Sequence, residues 1–268
     1  MSLQNLKYLG KLQGKRVLVL GGTSGIGFSI AEAAIEHGAQ VVLSSSNQTK
    51  LDNAAAKLQS TYPDLLQRNP VTTKVCNLSN SEALEQNLTE LLEAATQSGK
   101  AKLNHIAWTA GDALKLPSLD ELSLADINRG GLVRAVAPLL MAKLLPKYMD
   151  LSPENSFTFT GGSNTQKPNP GWSLMAMWGG AVEGLMRGLA VDLKPLRVNI
   201  VSPGAVHTEI FGTVPAEMLD SVLDSFRQKS TTGTVARPED LAEAYIYIMK
   251  DQFVTGSIVE SNGGRLLM

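Results

Sequence analysis

Residues 17–39 read VLVLGGTSGIGFSIAEAAIEHGA. An apolar run that ends in a glycine-rich turn and leads straight into an amphipathic helix can be built in few ways: a buried strand feeds a helix through a turn whose backbone lies open to a ligand. Gly21, Gly25 and Gly27 fall at the spacing G-x-x-x-G-x-G. Six further short runs, AQVVLS, TKVCNL, LNHIAWT, SFTFT, LRVNIV and TGSIVE, alternate with longer helical patterns. That alternation predicts an α/β fold, a seven-stranded parallel sheet doubly wound with helices on both faces. Helices are expected to start near Gly25, Thr49, Ser81, Ser123, Trp172, Ala216 and Pro238; ARPED supplies a proline and acids at the last of these. No linker, repeat or low-complexity segment interrupts the pattern, so residues 1–268 are expected to form one domain.

The glycine turn in this setting predicts dinucleotide binding. Gly21, Thr23, Ser24, Gly25, Ile26 and Gly27 would bring backbone N–H groups and a helix N-terminus to a pyrophosphate. The end of the second strand, LSSSNQTK, speaks to which dinucleotide. A free adenosine ribose usually meets an acid here, whereas a 2′-phosphate is repelled by one. Ser45 stands at the acid's place, and Ser46, Asn47 and Lys50 offer donors and a cation, which favours NADP(H) over NAD(H). Asn77 and Leu78 of CNLSN are expected at the adenine edge, and Thr109, Ala110 and Gly111 of WTAGD along the nicotinamide ribose.

Composition removes other classes. Formal charge is −1 and the single cysteine is Cys76, so neither a nucleic-acid partner, an acidic membrane surface nor a disulfide framework is indicated. No run approaches the roughly 20 apolar residues of a membrane span. The opening residues lack the apolar core of a signal peptide, which predicts a cytoplasmic protein. No spacing suggests a metal site.

Taken together, the glycine turn, TAG at 109–111, RVNIVSPGAVHT at 197–208 and TGSIVESNGG at 255–264 resemble the short-chain dehydrogenase/reductase superfamily, from Lys15 to about Arg265, and so imply its Rossmann fold. The resemblance implies that Pro203, Gly204, Val206 and Thr208 embrace the nicotinamide carboxamide. It also implies that helices 121–149 and 172–193 form the dimer faces of a homotetramer. The superfamily's usual catalytic set is a serine, a tyrosine, a lysine four residues later and an asparagine on the preceding helix. Aligned here, those positions hold Gly162, Met175, Gly179 and Arg134. No other cluster replaces them: His37, His105 and His207 are scattered, and Tyr148, Tyr245 and Tyr247 sit at packing positions. A ketone reduced without a nearby acid would leave an alkoxide that nothing protonates, at a penalty of several kcal/mol.

A narrower likeness lies in MAKLLPKYMDLSPENS, PNPGWSL, VEGLMRGLAVDLKPLRVNIVSPGAV, KSTTG, ARPEDLAEAYIYIMKDQ and the final GG. These resemble a fungal branch of the superfamily, the reductase/Diels–Alderases of indole-alkaloid pathways. The implied activity is NADPH-dependent reduction of a prenylated, dipeptide-derived iminium or zwitterion, followed by intramolecular [4+2] cycloaddition to a bicyclo[2.2.2]diazaoctane. An iminium carbon is already cationic, so hydride addition gives a neutral amine with no proton donated in the same step. Trp172, Met175, Met177 and Trp178 would supply apolar surface, Gly179 and Gly180 would leave room, and Arg134 would hydrogen-bond an amide carbonyl. In that branch the P-x-P-x-W element carries an aspartate facing the cationic substrate; here the residue is Asn169, which cannot hold a negative charge. Two forms stay open: a homologue that reduces without controlling the cycloaddition, and an altered branch member. A catalytically silent NADP(H)-binding sensor or scaffold, and a reductase of activated carbonyls, stand as the competing functions. The partner expected is a small-molecule alkaloid precursor.

Overall fold

The structure is a computed structural model that describes residues 6–67, 69–112 and 116–268. Its seven strands are β1 Arg16–Leu20, β2 Gln40–Ser45, β3 Thr72–Val75, β4 His105–Trp108, β5 Ser156–Thr160, β6 Arg197–Pro203 and β7 Ile258–Ser261. They pair in parallel in the order β3-β2-β1-β4-β5-β6-β7. Every run expected to be a strand is one.

Alternation along each strand sends side chains to opposite faces. Leu18, Leu20, Ile106, Trp108, Phe157 and Phe159 go to one core, under α4 Leu84–Ala95, α6 Ala137–Tyr148 and α7 Ser173–Asp192. Val17, Val19, Val41, Leu43 and Ala107 go to the other, under α1 Gly25–Glu36, α2 Gln48–Thr61 and α9 Pro238–Lys250. Burial on both faces is why these strands read as continuous apolar runs. The helices completing the fold are α3 Pro63–Leu66, α5 Leu124–Gly131 and α8 Ala216–Arg227.

Two boundaries differ from expectation for local reasons. The helix expected near Ser81 begins at Leu84, because the Asn80 carboxamide oxygen takes the N–H groups of Glu82 and Ala83 in a turn. The single helix expected from Ser123 is divided: Leu132–Val136 forms a π turn between α5 and α6. There the Ala137 N–H reaches back five residues to the Leu132 carbonyl. The next N–H in that register would come from Pro138, which has none. The Val133 carbonyl left over is taken by the Trp108 indole N–H at 3.2 Å. Turns of this kind concentrate at functional sites, and this one carries Arg134.

Sheet order decides where a ligand can bind. Successive strands run outward from β1 through β2 to β3, and the chain then crosses to β4 on the other side of β1. Loops leaving the carboxyl ends of β1 and β4 therefore diverge and open a crevice.

Candidate active site

A groove of about 540 Å³ fills that crevice. Its floor is the turn from Gly21 to Gly27, and its walls come from the ends of β2, β3, β4 and β5. A side chain at position 27 has no room, since a Cβ there would strike the Gly21 carbonyl and the Thr109 hydroxyl. The Thr109 hydroxyl donates to the Leu20 carbonyl at 2.7 Å, fixing the β4 end beside the glycine turn. Backbone therefore forms the groove where a pyrophosphate would lie, at the N-terminus of α1.

Of the residues expected at the cofactor, Gly21, Thr23, Ser24, Gly25, Ile26, Gly27, Ser45, Ser46, Leu78, Thr109, Ala110, Gly111 and Thr208 line this groove. The others are not part of its lining. The Asn47 side chain caps α2, accepting the Lys50 N–H at 2.9 Å, and Lys50 stands exposed on that first turn. Asn77 closes a turn on the Ser79 N–H at 3.0 Å. Pro203 ends β6 opposite Ser261, Gly204 abuts the Asn262 backbone, and Val206 is buried and bridged to Ala236.

A second cavity of about 420 Å³ opens from the groove through Ser79, Asp112 and Arg134, which line both. Leu174 and Met175 form its apolar wall on α7, and Asp126 and Arg129 its α5 side. Met175, aligned with the superfamily's tyrosine, thus does face the site. Arg134 stands at the junction. Its guanidinium packs on Gly111, where a Cβ would come within 2.8 Å, and Nη2 donates to the Asp112 carbonyl at 2.8 Å. Burial lowers the Arg134 pKa from its ordinary value while Asp112 opposes the shift; a guanidinium so placed stays charged.

Ser79 and Asp112 carried no assignment in the sequence. Asp112 follows TAG directly, and that position was the one available signal. The Ser79 hydroxyl donates to Asp112 Oδ1 at 3.2 Å, while the buried Oδ2 has no hydrogen bond among the described residues.

Asn169 and Trp172 lie in the loop before α7 and line neither cavity. The Asn169 carboxamide is engaged by Arg265 at 3.0 Å and Asn164 at 3.3 Å. Trp172 is half-buried just before α7. The Trp178 indole donates to the Ile127 carbonyl at 3.0 Å and packs on Gly130 and Gly131, so it fastens α7 to α5. Room expected from Gly179 is already occupied: a Cβ there would meet the Thr165 hydroxyl. Gly180 is exposed and outside both linings. Gly179→Ala is therefore expected to destabilise the protein by about 1–3 kcal/mol through overpacking. Thermal unfolding should show the loss, and Thr165→Ala should recover most of it; equal melting temperatures for wild type and Gly179→Ala would contradict this packing.

Among the described residues, no tyrosine, lysine or histidine lines either cavity. Tyr245 is wholly buried, its hydroxyl bonded to Thr160 at 2.6 Å and its pKa raised by burial. Tyr148 is buried on the α4 side. His207 is exposed, its ring tilted against that of Phe211. Burial pushes the Cys76 thiol up to about 11, which makes it a poor nucleophile. No group of described residues could hold a metal ion, and none of the described helices is long and apolar enough to cross a membrane.

Comparison with known proteins agrees with this architecture. Residues 8–268 match the family described as the SDR-like Rossmann domain. The chain is 51% identical over 259 residues to the short-chain dehydrogenase/reductase malC of Malbranchea aurantiaca, covering 96% of both chains. It is 42% identical to the short-chain dehydrogenase/reductase fsr5 of Gibberella fujikuroi, covering 97% of this chain and 98% of that one. The solved structure of the MalC reductase/Diels–Alderase from Malbranchea aurantiaca superposes with a TM-score of 0.92 at 50% identity, over 97% of this chain and all of the other.

Proposed function

The chain belongs to the short-chain dehydrogenase/reductase family, and from that premise we propose that it is an NADPH-dependent reductase of a prenylated, dipeptide-derived iminium or zwitterion in indole-alkaloid biosynthesis. One observation carries this reading: the cavity beside the cofactor groove holds a half-buried arginine and apolar α7 side chains, with no tyrosine, lysine or histidine among the described residues lining it. When bound, the reduced nicotinamide supplies a hydride. Addition of that hydride to an iminium carbon turns the C=N π pair into the nitrogen lone pair, so no acid has to act in the same step. A ketone, in contrast, needs a proton as the alkoxide forms.

The residues of the groove fit NADP(H). Gly21 to Gly27 present backbone to the diphosphate. Ser45 and Ser46 line the groove where an acid would otherwise exclude a 2′-phosphate, and Lys50 stands in the first turn of α2. In the second cavity Arg134 offers charged donors to an amide oxygen, while Leu174 and Met175 exclude water. The family likeness further supports a homotetramer built on the α5–α6 and α7 faces. It also supports use of the same cavity to hold the reduced product for [4+2] ring closure, directed by shape rather than by a charge at Asn169.

The test is spectrophotometric. Absorbance of NADPH is followed with a prenylated dipeptide-derived zwitterion, with simple ketones, and with NADH in place of NADPH. The zwitterion should consume NADPH, at least about tenfold faster than NADH, and ketones should consume almost none. Ketone reduction at a comparable rate would refute the reading. Tight NADPH binding without turnover of the zwitterion would favour the silent sensor or scaffold.

A further inference from the structure

Arg265 belongs to the last turn of the chain, yet its side chain is only 6% exposed. Its Nη2 donates to three acceptors on one loop: Asn164 Oδ1 at 3.2 Å, the Lys167 carbonyl at 3.0 Å and Asn169 Oδ1 at 3.0 Å. Asn169 Nδ2 closes the network by donating to Asn164 Oδ1 at 3.3 Å. The tail is itself tied down, since the Thr231 hydroxyl donates to the Gly263 carbonyl at 3.0 Å and the Gly264 N–H to Asn262 Oδ1 at 3.0 Å. From the anchored loop the chain passes directly to the cavity wall. The Trp172 N–H donates to the Asn169 carbonyl at 3.1 Å, and α7 begins one residue later with Leu174 and Met175 in its first turn.

We propose that Arg265 is a positioning residue: it holds loop 164–169 to the C-terminal turn, sets the α7 wall of the second cavity, and claims the side-chain oxygen of position 169. A buried guanidinium with three oxygens around one nitrogen favours an acceptor at 169 and opposes any turn of that side chain toward the cavity. A carboxylate placed there becomes the ion-pair partner of Arg265 rather than a free base or a counter-ion to a bound cation.

The experiment pairs a titration with kinetics. The carboxyl introduced by Asn169→Asp is titrated by ¹³C NMR in the whole protein, with Arg265 intact, with Arg265→Gln and with Arg265→Lys. Lys167 of the same loop and Glu183, which accepts from the Gln166 side chain at 2.8 Å, are present in every background, so the differences report Arg265. With Arg265 the carboxyl should titrate at least about one unit below an ordinary aspartate. Arg265→Gln should abolish that depression and Arg265→Lys should keep part of it; the same titration in all three backgrounds would overturn the assignment. Should Arg265→Gln fail to fold, Arg265→Lys carries the comparison. In the reductase assay, Arg265→Gln should raise KM for the zwitterion about tenfold with NADPH affinity nearly unchanged, since the anchored wall borders only the second cavity. A parallel loss of NADPH affinity would contradict the role. The kinetic arm rests on the reductase reading; the titration does not, so a protein that reduced nothing would still report whether the anchor exists.

Discussion

Replacing Arg134 by alanine is expected to lower turnover of the zwitterion by about two orders of magnitude, the size of effect when a substrate is no longer held in its reacting geometry. NADPH affinity should change by no more than about threefold, because diphosphate contacts come from the glycine turn and not from this side chain. The reason lies in how the arginine is held. The π turn at Leu132–Val136 is locked by the Trp108 indole on the Val133 carbonyl, and Gly111 gives the guanidinium a flat bed of backbone. Among the described residues its hydrogen bond to the Asp112 carbonyl uses one of its five donors. Others are free to meet a substrate oxygen at the junction of the two cavities. Arg134→Lys should rescue little, because an ammonium cannot reproduce the planar fork. Steady-state kinetics and NADPH titration by fluorescence decide it. Equal losses in both would show that Arg134 merely props the loop after β4.

The parts of this protein legible in its sequence are those whose causes are local. Five strands, β1, β2, β4, β5 and β6, are buried and read as mainly apolar or β-branched runs, while the more exposed β3 and β7 were legible from their place in the alternation. The Gly21–Gly27 turn was legible because its demand for close backbone approach falls within seven residues. Features that depend on distant partners were hidden. Gly179 looked like cleared space, yet Thr165, fourteen positions earlier, fills it. The π turn needs Pro138 and a tryptophan from β4 together. Asn169 stood where the branch's aspartate faces a cationic substrate, and the cation it meets among the described residues is Arg265, 96 positions away.

The second large expectation concerns acid, and it arises at the opposite end of the sheet from the active site. His105, Ser156 and Arg197 lie side by side across β4, β5 and β6. The His105 ring is 1% exposed, and its Nδ1 lies 2.9 Å from the Ser156 hydroxyl. Desolvation first, and then the charge of Arg197, lower its pKa to about 3. Arg197 is itself buried, donating to the carbonyls of Pro153, Ile248 and Met249, and cannot swing away from that row. In the unfolded chain the imidazole titrates near its ordinary value of about 6.5. Above that pH both states are neutral at His105 and the residue adds no pH dependence. As pH falls below it, the unfolded chain takes up a proton that the folded chain refuses, so stability drops until about pH 3 and then levels. Between pH 6.5 and pH 4.5 this group alone should remove roughly 2–3 kcal/mol. His105→Gln, which keeps a polar group near Ser156 without the titrating ring, should start less stable at pH 7 but lose less on acidification. Urea unfolding at pH 7, 5.5 and 4.5 compares the two slopes, and carboxylates common to both proteins cancel in the difference. Parallel curves would mean that the folded protein admits the proton at His105 and that the β4–β5–β6 row is not closed to it.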